Sequence, residues 1–487
     1  MRAFASAHGL ALIVALGAVI RFATIGGDGF WLDEQVSVSL VQQGPIDLLR
    51  GVVAGESNGP LYYLLQGAWE RVFDSGELGI RSFSALVGTA AIPLMYGAGA
   101  ALHSRRAGLI AAALTATSPL LIWYSQEARN YELLVLFAAL TMLCFARALS
   151  DDGHRWLWGW ALACTLALAT HYFAVFLIAG EAIWLLARRP GQRLDIGLAI
   201  AAIGAVGLAL LPLIATQRGR GDWIEEYSLS GRLLNVPEHF LVGYQVPWKI
   251  LPTLAIAAFV IVAAYVAVRA EEATRRALVV AASIAGGGFA LVLLAIATGN
   301  DYMLSRNLLE LWPAAALAIA IGLAGTRVGR AGIAITAVVC ALGAGLVIWN
   351  AATPAAQRPD YEPVAEALED SATPRLIVSQ SSFSSPLILY SDEIRAASDA
   401  ELAATELVVV EQRPERNYAV GTCFWVATCG GEDVEPPPGF EPPPGFELER
   451  TTTAGQFELS VYTAGEPTPI ERPVEYFTPR VFVQEPG

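Results

Sequence analysis

The chain has 487 residues, of which 55% are hydrophobic and only 16% are charged, and its mean hydropathy is +0.49. A soluble globular chain carries about a quarter charged residues, so this composition indicates a membrane protein. The net charge of −14 comes from the C-terminal part, because residues 351–487 hold 23 Asp and Glu against eight Arg. The rest is nearly neutral and contains no basic tract, which argues against nucleic acid as a partner.

Apolar runs recur along the first 350 residues. A spanning helix needs about 20 mostly apolar residues, and this length predicts about 11 transmembrane helices. The runs lie near residues 9–25, 81–102, 107–123, 132–149, 156–171, 173–187, 194–214, 250–268, 277–297, 308–324 and 331–350. The two short runs within 156–187 predict a hairpin that turns at residues 170–172. The first run resembles a signal peptide without a small-residue cleavage site before Arg21, so we expect a retained helix.

The loops between these runs differ in charge. Five of them carry arginines, namely those with Arg105 and Arg106, Arg147 and Arg155, Arg188 to Arg193, Arg269 to Arg276, and Arg327 and Arg330. The positive-inside rule assigns these loops to the cytoplasm. The other loops (26–80, 124–131, the turn at 171, 215–249 and 298–307) and everything after residue 350 then face outward. We therefore expect a multi-pass protein of the inner or plasma membrane with an extracytoplasmic tail.

The first outward loop, residues 26–80, is longer than a connection requires. Two stretches in it, Glu34–Leu49 and Leu61–Phe73, are amphipathic. Each predicts a short helix that lies flat at the membrane interface.

The tail predicts a separate, soluble α/β domain over residues 351–487, after a transmembrane domain over 1–350. Residues 361–369 have helical spacing, 375–379 and 406–410 resemble buried strands, and 446–462 suggests a hairpin. The hexapeptide Glu-Pro-Pro-Pro-Gly-Phe, which occurs at 435–440 and again at 441–446, predicts a stiff surface loop. Cys423 and Cys429 could pair if the tail is exported and turns between them.

The sharpest chemical feature is the sequence Phe-Trp-Leu-Asp-Glu at residues 30–34, directly after the first apolar run. The adjacent carboxylates of Asp33 and Glu34 could supply a general base and a group that orients it or binds a cation. They could instead be a solvated acidic cap on an interfacial helix, because the helix dipole favours Asp near a helix start. The dipeptide alone does not separate these interpretations.

Three further motifs follow it in the outward loops or at the ends of spans. They are Glu-Ser-Asn-Gly-Pro-Leu-Tyr-Tyr at 56–63, Arg-Ser-Phe-Ser-Ala-Leu-Val-Gly at 81–88 and Tyr-Ser-Gln-Glu-Ala-Arg-Asn-Tyr at 124–131. With the topology, this combination resembles the bacterial members of glycosyltransferase family 39 and their aminoarabinose-transferase and protein O-mannosyltransferase relatives, which have the GT-C fold. The resemblance covers about residues 10–350 in architecture, and its specific motifs lie mostly in the first 175.

The resemblance implies a membrane glycosyltransferase that uses a polyprenyl-phosphate sugar donor and an extracytoplasmic glycan, lipid or protein acceptor. In that family the Asp of an Asp-Glu pair in the first outer loop is the catalytic base or its close equivalent, which assigns this role to Asp33, with Glu34 beside it. The motifs add candidate substrate contacts, namely Glu56, Asn58, Tyr62, Tyr124, Gln126 and Glu127. Many relatives have a His before Pro-Leu-Tyr-Tyr where this chain has Asn58-Gly59, so a metal site that needs that His is not implied.

Two arginines and one histidine complete the candidate site. Arg129 and Arg306 suit a phosphate in a partly desolvated site, although either could instead snorkel to the headgroup layer. His171, beside Tyr172, could contact substrate, make a structural hydrogen bond, or join Asp33 and Glu34 in binding a divalent cation. Whether the protein needs such a cofactor stays open from sequence.

Two other classes of function compete with a transferase. A lipid or polysaccharide transporter predicts internal repeats and charged residues within the spans, and neither is evident. A membrane-anchored binding protein for envelope assembly would use the acidic tail as its working part.

Overall fold

The computed structural model describes residues 2–151, 153–353, 357–368, 373–379, 382–398, 401–412, 441–470 and 480–486. Two compact units are present: one contains the residues up to Ile25 and Val38–Ala352, and the other contains Gly26–Ser37 with the described residues from Thr353 onward. Sequence reasoning did not anticipate that residues 26–37 group with the tail. Cys423, Cys429 and the first copy of the hexapeptide lie outside the described residues.

Helices build the first unit. In chain order they are α1 (Arg2–Phe22), α2 (Leu32–Val41), α3 (Pro45–Gly55), α4 (Leu61–Phe73), α5 (Glu77–Leu102), α6 (Arg105–Thr117), α7 (Pro119–Ser125), α8 (Tyr131–Ala148), α9 (His154–Thr170), α10 (Ala174–Arg188), α11 (Arg193–Gln217), α12 (Leu229–Val242), α13 (Leu251–Arg269), α14 (Glu272–Ala297), α15 (Trp312–Ala324) and α16 (Gly329–Ala352). The start of α2 belongs to the other unit, and its residues from Val38 onward belong to this one.

Each predicted apolar run coincides with a helix, or with the pair of α6 and α7. Among the described residues, seven helices are long and apolar enough to cross a membrane, and the number is eight if α6 and α7, which meet at a 57° bend, form one span. The chain is therefore a multi-pass helical membrane protein, as predicted. The apolar stretch His8–Phe22 of α1 and the helices α9 and α10 are each shorter than the 18 residues that this count requires, so the total of 11 crossings stays a prediction.

The loop after α1 corrects one sequence prediction. Glu34–Leu49 was expected to be one helix, but α2 ends at Val41 and α3 begins at Pro45. Proline has no amide hydrogen to donate within a helix and is favoured at the first helical position. Gly44 precedes it in an extended conformation. The predicted helix Leu61–Phe73 is confirmed as α4.

The core of the first unit centres on α8, which packs against α5, α9 and α10. Its buried Leu134 and Phe145 belong to the same cluster as Met95 of α5 and Trp160 of α9. The predicted hairpin turn is confirmed, because α9 ends at Thr170 and α10 starts at Ala174.

The second unit contains a mixed β-sheet and a short helix. Its described elements are α17 (Glu362–Ala367), β1 (Arg375–Ser379), β2 (Ile394–Ala396), β3 (Ala403–Gln412), β4 (Glu447–Ala454), β5 (Phe457–Pro469) and β6 (Arg480–Gln484). The strand order is β2-β6-β1-β3-β5-β4, with β1 and β3 parallel and the other neighbours antiparallel. The predicted helix, both buried strands and the hairpin are confirmed, whereas β2 and β6 were not predicted.

The sheet explains why its central strand has a continuously apolar sequence. Ile377 belongs to one hydrophobic cluster with Val408 and Phe482, whereas its neighbours Leu376 and Val378 belong to another. Successive side chains of a strand point to opposite faces, so β1 is buried on both.

Candidate active site

The two leading candidates, Asp33 and Glu34, lie in the first turn of α2, within the second unit. Trp31 precedes the helix, and its backbone N–H donates to Glu34 Oε2 at 3.3 Å. This is the backward bond of a capping box, in which a glutamate at the third helical position satisfies the N-cap amide. Arg358 Nη1 donates to the same oxygen at 3.2 Å.

The two carboxylates differ in exposure. Glu34 is fully buried and forms an ion pair with the buried Arg358, whereas Asp33 is half-buried. Glu34 therefore caps α2, but it is buried, unlike the solvated acidic cap considered from the sequence. Asp33 remains partly accessible, and a general base must come within hydrogen-bond reach of the proton that it accepts.

A buried ion pair in the first unit joins two candidate residues that are 73 positions apart. Arg129 donates to Glu56 through two nitrogens, with Nη1–Oε1 at 2.7 Å and Nη2–Oε2 at 3.2 Å. Both side chains are under 10% exposed. A bidentate guanidinium–carboxylate pair is a strong, directional contact. In this structure Arg129 is therefore held by Glu56.

The stretch that carries Glu56 is held on its other side by the region after α11. Arg220 donates to the backbone carbonyls of Glu56, Val53 and Ala54, which satisfies the end of α3. Gln217 donates to Asn58 O at 3.3 Å and accepts from the Tyr172 hydroxyl at 2.9 Å. Asn58 and Tyr172 therefore both contact one glutamine.

His171 lies buried in the turn between α9 and α10. The backbone N–H of Phe173 donates to His171 Nδ1 at 3.3 Å. Burial and then the positive charges of Arg129 and Arg306 lower the pKa of His171 to about 3. The imidazole is therefore neutral near pH 7 with Nδ1 accepting, and it can donate from Nε2.

Arg306 is half-buried in the 3₁₀ turn Ser305–Leu311, before α15. Its guanidinium carbon lies 5.8 Å from the centre of the Trp223 ring, a cation–π distance. The positive charge of Arg306 lowers the pKa of His171. Burial raises the pKa of Tyr244, and the charge of Arg306 offsets part of that rise. A second positive charge therefore lies near the Arg129 and His171 cluster.

Tyrosines lie beside this cluster. The hydroxyls of Tyr124 and Tyr244 are 2.5 Å apart, and the Tyr124 ring is 4.6 Å from that of Tyr131. The Tyr131 ring in turn lies 6.5 Å from His171. The buried carboxylate of Glu127 acts on Tyr244, which places it in the same surroundings.

Two predicted contacts have structural partners. Gln126 donates to Arg21 O at 3.0 Å and to Thr24 Oγ1 at 2.8 Å, so it caps the end of α1. The Tyr62 ring is fully buried and lies 5.2 Å from that of Tyr63 and 6.0 Å from that of Phe83. In these contacts both side chains stabilise the protein around the site.

Metal binding was the least defined expectation. Among the residues that the structure describes, no group of three or more His, Cys, Asp or Glu side chains is placed to hold a metal ion. Asp33 and Glu34 also belong to a different unit from His171. The set of Asp33, Glu34 and His171, named from the sequence as a possible cation site, stays a prediction.

Sequence reasoning missed several residues beside the candidates. His239 Nδ1 lies 2.7 Å from Ser305 Oγ, and its ring is 4.4 Å from that of Tyr244. Burial lowers the pKa of His239 to about 3. The only sequence signal was the length of the loop 215–249, which was predicted to face outward and holds both His239 and Tyr244. Arg358 had no signal, because its partner is more than 300 residues away.

Comparison with known proteins bears directly on this cluster. Residues 57–216 match the dolichyl-phosphate-mannose-protein mannosyltransferase family. The matched stretch begins one residue after Glu56 and includes Arg129 and His171. The predicted resemblance to the GT-C transferases of protein O-mannosyltransferase type is thereby confirmed.

Other comparisons are more distant. No curated protein sequence gives a significant match. Apo ArnT from Cupriavidus metallidurans is 15% identical with a TM-score of 0.48, over 75% of this chain and 66% of its own. The Archaeoglobus fulgidus oligosaccharyltransferase in complex with Zn and sulfate is 14% identical with a TM-score of 0.45, over 74% of this chain and 54% of its own. The Saccharomyces cerevisiae Pmt1-Pmt2 complex bound to the sugar donor is 18% identical with a TM-score of 0.31, over 44% of this chain and 32% of its own. The chain thus spans less than two thirds of the length of these structures.

Proposed function

We propose that this chain is a membrane glycosyltransferase that moves a sugar from a polyprenyl-phosphate donor to a hydroxyl of an extracytoplasmic glycan, lipid or protein. The observation that carries the proposal is that the stretch matched by the family contains residues of the buried cluster around Arg129 and His171. Residues 57–216 include Arg129 and His171, which lie in that cluster.

In the proposed reaction, the acceptor oxygen attacks the anomeric carbon of the donor sugar while the bond from that carbon to the phosphate oxygen breaks. Asp33 accepts the acceptor proton, and polyprenyl phosphate leaves with the electron pair of the broken bond. One direct displacement of this kind inverts the anomeric centre. The half-buried position of Asp33, compared with the fully buried Glu34, supports the assignment of the proton to Asp33.

The leaving phosphate needs positive charge and hydrogen-bond donors. We assign this role first to Arg306, whose guanidinium lies over the Trp223 ring and whose charge acts on His171 and Tyr244. Arg129 is paired with Glu56, so its positive charge is largely compensated in the resting protein. We propose that Arg129 contributes through hydrogen bonding and by holding Glu56, and that neutral His171 donates from Nε2.

The test is transfer by the purified full-length protein in nanodiscs, with a panel of polyprenyl-phosphate sugars and envelope acceptors. We expect transfer from one donor, and mass spectrometry of a deletion strain should show that unused donor accumulating. If no donor on the panel is consumed and the envelope glycans of the deletion strain are unchanged, the transferase proposal fails and the envelope-binding alternative gains support.

A further inference from the structure

Several contacts join the segment that carries Asp33 to the C-terminal tail, and all lie within the second unit. Arg358 pairs with Glu34 at 3.2 Å, and both side chains are at most 3% exposed. The Arg358 guanidinium carbon also lies 5.5 Å from the centre of the Trp31 ring. One arginine therefore holds the capping glutamate and the N-cap residue of α2 together.

Two further contacts between this segment and the tail do not involve the charge of Arg358. The backbone N–H of Phe30 donates to the Tyr390 hydroxyl at 2.7 Å, and the two rings are 6.0 Å apart. Gly29 packs so closely on Asp360 that a Cβ at position 29 would lie 2.6 Å from the Asp360 Cα. Such an approach to backbone is open only to glycine.

We propose that the C-terminal domain positions the catalytic base, with Arg358 as the principal positioning residue and the contact of Gly29 with Asp360 as a second, uncharged support. This inference rests on the proposed function and assigns the tail a role in the same reaction. Arg358 acts on the chemistry through Glu34 and Trp31, because these fix the first turn of α2, in which Asp33 lies. Two of the groups that orient Asp33 are therefore more than 320 residues further along the chain.

The matched test compares Gly29→Ala with Gly26→Ala. Both changes add one methyl group to the same segment, but Gly26 has open space where its Cβ would be. A displacement of about 1 Å at a reacting group can cost 10²-fold in rate. We expect Gly29→Ala to lower kcat by about 10²-fold with little change in donor KM, and Gly26→Ala to keep the wild-type kcat.

Arg358 is tested by charge and by shape. Arg358→Gln should lower kcat in the same way. Arg358→Lys should have a kcat between those of Arg358→Gln and the wild type, because an ammonium keeps the charge but cannot reproduce the flat guanidinium over Trp31. The control for general damage to the domain is Arg375→Gln, because Arg375 is paired with Glu406 in the sheet at 2.8 Å. It should lower the unfolding temperature with kcat unchanged.

Amide hydrogen exchange of residues 28–37, measured on the same samples, reports whether this segment is still held by the C-terminal tail, and it does not depend on activity. Faster exchange in Gly29→Ala and Arg358→Gln, but not in Gly26→Ala, is the expected result. Wild-type kcat in Gly29→Ala and Arg358→Gln would overturn the inference, and so would an equal loss of kcat in Gly26→Ala or Arg375→Gln. Absence of transfer by the wild-type protein would instead overturn the proposed function.

Discussion

Asp33 and Glu34 are adjacent in the sequence, yet the fold gives them different surroundings. Glu34 is fully buried between the Trp31 amide and Arg358, whereas Asp33 is half-buried. A carboxylate that is committed to an ion pair and a cap is a poor proton acceptor, because protonation would break both contacts. This difference leads to the first prediction.

Asp33→Asn should abolish sugar transfer while donor binding persists. The substitution keeps the size of the side chain and removes the basic oxygen, and a general base contributes about 10²–10⁴-fold in rate. The measurement is single-turnover transfer together with equilibrium binding of the donor lipid. Asp47→Asn is the matched control, because Asp47 lies in the same segment between α1 and α5 and pairs with the exposed Arg50. Near-normal turnover in Asp33→Asn would exclude Asp33 as the base.

The second prediction concerns the buried pair of Glu56 and Arg129. Removal of one partner leaves the other charge buried, which costs about 3–5 kcal/mol, whereas replacement of both partners costs less. Arg129→Gln and Glu56→Gln should therefore each lower the free energy of unfolding by more than the double variant does. Unfolding in detergent, measured for the four proteins of the cycle, tests this order.

Donor binding by the same variants shows whether Arg129 only stabilises the fold or also contacts the donor phosphate. If Arg129 also contacts the phosphate, the double variant should bind donor lipid more weakly than Glu56→Gln does. The control pair, Arg50 and Asp47, is exposed and should show a coupling energy of about 0–1 kcal/mol. A double variant that is less stable than both single variants would contradict the prediction for the buried pair.

At the scale of elements, the start of α4 is fixed by the close approach of two chain segments. A Cβ on Gly59 would overlap the backbone carbonyl of Ala169, near the end of α9. Asn130, just before α8, also donates to the Thr170 carbonyl at 3.1 Å. The segment before α4 and the start of α8 thus meet at the end of α9, next to His171.

Gly59→Ala should therefore separate these elements. We expect it to lower the free energy of unfolding by about 1–3 kcal/mol, because overpacking against backbone forces the chain to shift. Gly55→Ala is the control, since Gly55 has nothing within 4 Å of its Cβ position and such a surface change alters stability by about 0.5 kcal/mol or less. Thermal unfolding of both variants, with donor affinity as a second readout, checks the prediction. Equal unfolding temperatures would show that α4 and α9 are less closely fixed than the structure indicates.

At the scale of the whole molecule, the side of the membrane on which the tail lies stays a prediction. The arginine-rich loops alternate with long, arginine-poor ones, and the positive-inside rule then directs the tail outward. Trypsin added to intact spheroplasts should cleave after residue 353, because the tail carries the exposed Arg395 and Arg450. An epitope inserted beside Arg188 should remain protected until lysis. The reverse pattern would place the acceptor site in the cytoplasm and contradict the proposed reaction.

Particular elements show how far sequence reasoning extended. The apolar helices, the turn at His171 and the strands β1 and β3 were predicted, because local apolar patterns determine them. The break at Pro45 was missed although its signal was local, since the amphipathic pattern continues across it. Strand β6 was missed because its five residues, Arg480–Gln484, gain their pairing only from β1 and β2, far away in sequence.

The sequence by itself determined that this is a multi-pass membrane protein with an acidic C-terminal domain, and it singled out Asp33, Glu34, Arg129 and His171. Composition and apolar run length suffice for this, because the bilayer selects helices by length and hydropathy. Only the tertiary structure decided that Arg129 is paired with Glu56 and that Glu34 is held by Arg358. Such pairs join residues that are 73 and 324 positions apart, and no local pattern encodes which charges share a buried site. Burial then fixes their roles, because a charge that loses water must find a partner, and only the folded chain supplies one.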